Sequence, residues 1–165
     1  MGQAENISFI YHYVVDAICQ SAIIRYKHKR GDFIMTDFNY NDGGRVASGR
    51  KGTTGDCAVR AMAIALELDY DACYKEIAQA NKDNGRAKSV RHGIMKDVYG
   101  AVLKRHGWIW HSAPKFKGVK ARAEDMPDGV VIARQARHFV AVIDGAVHDI
   151  WDCSHKMVYG YWAKV

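Results

Sequence analysis

The chain has 165 residues, 48% of them hydrophobic and 25% charged. That is the composition of a soluble globular protein with apolar material for one real core, and the length favours a single domain. Only Pro114 and Pro127 occur, with no Ser/Gly-rich stretch and no internal repeat, which excludes a linker-joined or repeat architecture.

The net charge of +6 is spread along the chain, with Lys and Arg densest over 25–30, 45–51, 86–105 and 115–122. Such a surface suits nucleic acid, anionic membranes or acidic proteins. Aromatic residues are not interleaved with these charges at regular spacing, so a solvated basic face is the simpler reading. Cysteines stand at 19, 57, 73 and 153, and none forms a C-x-x-C. Neither a zinc knuckle nor a thioredoxin-type motif is present, and the sparse cysteines point to a reducing, cytoplasmic compartment.

Residues 7–24 are apolar but interrupted by His12, Asp16 and Gln20. A membrane span would bury Asp16 at a cost of roughly 2.5–3.5 kcal/mol. No positive region precedes the stretch, which argues against a secretory signal. Residues 1–34 are expected to be an extension, the domain proper running over 35–165 from Met35. Residues 36–55 hold five glycines among Asn, Asp, Ser and Thr, which is loop chemistry.

The segment 57–68, CAVRAMAIALEL, is predicted to be a slim helix, apolar almost all round and so buried, with Ala58, Ala61, Met62, Ala65 and Leu66 on one face. Thr54 or Asp56 is expected to cap it. A second helix is expected from Asp69 or Asp71 to about Ala80 with Ala72, Ile77 and Ala78 inward. A third is expected over about 89–106, ended by Gly107. After Trp108-Ile-Trp110 and a basic loop, the period changes. Runs at 129–134, 138–143, 147–151 and 157–162 predict a meander of four strands, with Asp144-Gly145 as a hairpin turn. Helices first and antiparallel strands afterwards is an α+β order.

Cys57 follows the glycine-rich loop and heads the buried helix. Free N–H groups and partial positive charge at a helix N-terminus favour the thiolate and can receive an oxyanion. His138 opens its strand, where a side chain can face a cleft, and is the expected base. A third group should orient the imidazole, and hairpin register decides between Asp149 and Asp152. A strict two-residue turn pairs Ile143 with Ala146 and puts Asp149 on the His138 face; a glycine bulge instead puts Asp152 there. The position at the strand mouth favours Asp152. His148, Cys153 and His155 lack a fourth ligand at a convincing spacing, so no metal and no cofactor is expected.

This order of elements resembles the papain-like superfamily of cysteine peptidases. More narrowly, NDGGR at 41–45, TGDCAVRAMAIAL at 54–66, RHFVAVIDGAVHDIWDCS at 137–154 and VYGYW at 158–162 look like a family of small proteins from bacteria and their phages. The resemblance covers roughly residues 36–165. It implies a papain-like fold, N-terminal helices packed on a C-terminal antiparallel sheet, and a Cys-His-Asp hydrolase of peptide or isopeptide bonds, carried by Cys57, His138 and Asp152 or Asp149. Papain-type enzymes place a glutamine a few residues before the cysteine as oxyanion donor. Here the stretch reads KGTTGD, so Lys51, Thr53, Thr54 or a backbone N–H around Gly55 and Asp56 takes that part. A phage setting would direct the activity at host proteins. The alternative from another class is an inactive binding protein on the same scaffold, its basic surface meeting nucleic acid or an acidic host protein.

Overall fold

The hairpin closed by Asp144 and Gly145 sets the register of the central sheet. Both residues have positive φ, 50° and 86°, as a two-residue type I′ turn requires, and glycine tolerates this without a Cβ clash. Ile143 therefore pairs with Ala146, Val142 with Val147 and Ala141 with His148. The computed structural model describes residues 38–51, 55–86, 89–91, 93–116 and 118–165. The extension expected over 1–34 and the boundary at 35 lie outside the described residues, as do Thr53 and Thr54.

Among the described residues the architecture is α+β, with three α-helices, a mixed six-stranded sheet and a separate two-stranded one. In chain order the elements are β1 (Phe38–Tyr40), α1 (Cys57–Leu66), α2 (Tyr70–Asp83), α3 (Lys96–Arg105), β2 (Trp108–Ser112), the small hairpin β3 (Lys115–Phe116) and β4 (Val119–Lys120), β5 (Val130–Gln135), β6 (His138–Ile143), β7 (Ala146–Asp149) and β8 (Gly160–Lys164). The sheet order is β1-β7-β6-β5-β8-β2, with β1 parallel to β7 and the other neighbours antiparallel. The four expected strands do not form a simple meander. β5, β6 and β7 follow one another, but β8 returns to the far side of β5, and β1 and β2 extend the two edges. Among the described residues, no helix is long and apolar enough to cross a membrane.

Period-2 alternation gives the sheet two buried faces. Ile132, Phe139, Ala141 and Trp162 join the helices in one core cluster. Val131, Ala133, Val140, Val142 and Val147 face the other way, under Ala121, Ala123, Met126, Cys153 and Val158 from the connecting segments. α1 is buried nearly all round, Arg60 included. Asp56 holds the N-cap position, but its side chain makes no capping bond. Asp69 does cap α2, its carboxylate accepting the Ala72 N–H at 2.9 Å. Ala72 itself is exposed and Cys73 takes the inward place. α3 begins later than expected, after Gly93 takes a φ of 77°. Gly100 lies inside α3 because a Cβ there would meet the Trp162 indole nitrogen at 3.3 Å.

Candidate active site

Cys57 is the first residue of α1 and His138 the first of β6, so a helix start and a strand start meet at one end of the sheet. Cys57 is half-buried. Burial alone would raise its thiol pKa. The hydrogen bond and charge of His138, the Phe139 N–H and the charge of Arg60 outweigh that and hold the thiol below its ordinary value. Burial likewise disfavours a charged His138 ring. Hydrogen bonds with Asp149, Cys153 and Cys57 reverse this and push the imidazolium pKa up to about 11. The arrangement therefore stabilises a thiolate beside an imidazolium.

Asp149, not Asp152, faces His138. Its Oδ2 lies 2.6 Å from His138 Nε2, with both side chains buried, which leaves Nδ1 as the ring nitrogen available to Cys57. The two-residue turn explains the choice: with Ile143 opposite Ala146, Asp149 falls on the His138 face. The expectation that favoured Asp152 needed a glycine bulge that the hairpin does not contain. Asp152 is exposed and accepts the Ser154 N–H at 2.9 Å; the Ser154 hydroxyl, followed by this N–H, keeps its carboxyl below the usual range.

Behind this trio stands a buried ionic network. Asp149 Oδ1 accepts the Ile150 N–H at 2.8 Å and Arg60 Nε and Nη2 at 3.3 and 3.2 Å. The other end of the Arg60 guanidinium pairs with Asp56 Oδ1. Asp56 Oδ2 accepts Arg45 Nε at 2.8 Å and the Tyr70 hydroxyl, and burial followed by this bond pushes the Tyr70 phenol up. The Asp56 side chain is thus committed to the network. The NDGGR motif clamps the same assembly. Asn41 N–H donates to the Asp149 carbonyl at 2.9 Å. Gly43, with a φ of 65°, lets the loop sit so close that a Cβ would meet the Arg60 carbonyl oxygen at 3.1 Å.

Of the other loop residues, Lys51 is exposed and its carbonyl accepts Arg45 Nη2 at 3.1 Å, while Gly55 is exposed beside the Arg91 carbonyl. With no side-chain cap on α1, and with the Val59 and Arg60 N–H groups bonded to the Asp56 carbonyl, the Cys57 and Ala58 N–H groups are the first-turn donors left for an oxyanion beside the thiol. The exposed Trp151 packs its ring 5.3 Å from the buried His138 ring.

Arg60 and Trp151 are the members of this site that motif reading passes over, and it weighs Cys153 only beside His148 and His155. Arg60 carried a signal, a lone charge inside an apolar helix four residues after Asp56. Trp151 and Cys153 are brought in by the turn after β7, which leaves no periodic trace. Compared with known proteins, the chain matches no family model, no curated protein and no solved structure.

Proposed function

We propose that the chain is a papain-like cysteine hydrolase that cleaves a peptide, isopeptide or related amide or thioester bond. The observation that carries this reading is the placement of His138 between the Cys57 thiol and the Asp149 carboxylate, in a setting that favours separated charges. The Cys57 thiolate attacks the carbonyl carbon, and the oxyanion forms against the N–H groups at the start of α1. His138 hands its proton to the leaving amine as the tetrahedral species collapses to a thioester. Water, deprotonated by His138, then attacks the thioester and the thiolate leaves. Asp149 fixes the ring and balances the imidazolium. A host protein is the substrate suggested by the narrower family resemblance.

A small thiol-reactive electrophile tests the reading. Mass spectrometry of the folded chain should find Cys57 modified far faster than Cys73, whose thiol burial and nearby carboxylates push up to about 12. His138→Ala should slow Cys57 by about 10²-fold or more. Labelling of Cys57 no faster than that of Cys73 would count for the inactive scaffold. Nucleic-acid binding that weakens steeply with salt would give that scaffold its role.

A further inference from the structure

We propose that His138, Asp149 and Cys153 form a binding site for a soft divalent cation, zinc in the first instance. One ligand atom from each of the three lies within 4.8 Å of the others, and all three residues are buried. The hydrolase reading uses His138 and Asp149 but gives Cys153 no part. Yet the Cys153 sulfur lies within 4.8 Å of a nitrogen of the same imidazole that serves Cys57. Cys73, buried among the helices, joins no such group of ligand atoms among the described residues.

The donor set decides the metal. Thiolate, imidazole and carboxylate together suit Zn²⁺ and Co²⁺, whereas Mg²⁺ and Ca²⁺ require oxygen shells. Three protein ligands with a fourth position open is the pattern of zinc sites that exchange a ligand. Ligand atoms around tetrahedral zinc stand roughly 3.3–3.8 Å apart, given bonds of about 2.0–2.3 Å. The 2.6 Å contact between His138 and Asp149 therefore opens slightly while the wider separations close. These are side-chain adjustments on a rigid frame.

That frame already orients the ligands from behind. Asp149 is fixed through its other oxygen by Arg60 and the Ile150 N–H. The carbonyl of Cys153 accepts Gln135 Nε2 at 3.0 Å. Such outer contacts set ligand direction and are part of a working metal site. Bound metal occupies the ring that Cys57 needs as its base, so metal and thiolate chemistry exclude one another. Metal binding itself stands whether or not Cys57 turns over a substrate.

The test is cobalt and zinc titration of the reduced full chain, with Cys57→Ser, Cys153→Ser and Asp149→Asn alongside. Co²⁺ should bind one per chain with a sulfur-to-cobalt charge-transfer band, and that band should survive Cys57→Ser and vanish in Cys153→Ser. Zinc affinity, read against a chromophoric chelator, should fall in Cys153→Ser and Asp149→Asn by more than the roughly 10–100-fold typical of an outer-shell change. A band lost in Cys57→Ser but kept in Cys153→Ser would overturn the proposal, as would equal binding by all variants or no band at all. X-ray absorption of the zinc-loaded unmutated chain guards against a variant that fails to fold. Sulfur together with nitrogen and oxygen donors is expected, and a shell without sulfur overturns the site.

Discussion

Arg60 sits with its charge inside a helix of alanines, yet it is almost fully buried and bonded at both ends of its guanidinium. A planar fork can hold two carboxylates at once, which an ammonium group cannot do in the same geometry. Replacing it by methionine leaves Asp56 and Asp149 without their shared cation. Loss of one partner from a buried ion pair costs about 3–5 kcal/mol, so chemical denaturation of Arg60→Met should show a fall of that order. Its charge also helps to lower the Cys57 pKa. The pH midpoint of Cys57 alkylation should therefore move upward in Arg60→Met, a shift that a purely structural role would not produce. At this scale Cys57 and His138 were legible because each heads its own periodic segment. Arg60 was not, because a single arginine in an apolar run reads equally well as a charge reaching for solvent.

At the scale of elements, the two-residue turn at Asp144-Gly145 selects the carboxylate. The hairpin was legible from Asp-Gly between two β-rich runs, but the same dipeptide is compatible with a bulge. Only the observed pairing of Ile143 with Ala146 separates Asp149 from Asp152. Gly145→Ala forces a side chain into a φ of 86° and should lower stability by about 1–2 kcal/mol in urea unfolding. β1 was hidden because three residues, Phe38–Tyr40, are too few to show a period. The return of β8 to β5 was hidden for another reason. Its pairing, Ile132 with Trp162 and Ala133 with Tyr161, joins residues far apart in sequence, and local alternation says which face a strand buries without saying beside which strand it lies.

For the molecule as a whole, the Cys57–His138 couple makes stability depend on pH in two opposed ways. His138 is raised from 6.5 to about 11, so its contribution is complete below 6.5 and is lost as pH rises towards 11. Cys57 is lowered from 9.0, so its contribution is complete above 9.0 and is lost as pH falls through the lowered value. The two partly cancel below 9.0, and above it the His138 loss runs unopposed. Urea midpoints should therefore drop more steeply between about pH 9 and 11 in the unmutated chain than in His138→Gln, and parallel curves would show that the ring does not hold its proton. The network behind the ring has a consequence for descent as well. Asp149 neutralises Arg60 at the same time as it orients His138, so a lineage that drops this carboxylate leaves a cation stranded in the core. Selection for a folded chain alone would therefore preserve this carboxylate, whatever becomes of the Cys57 thiol.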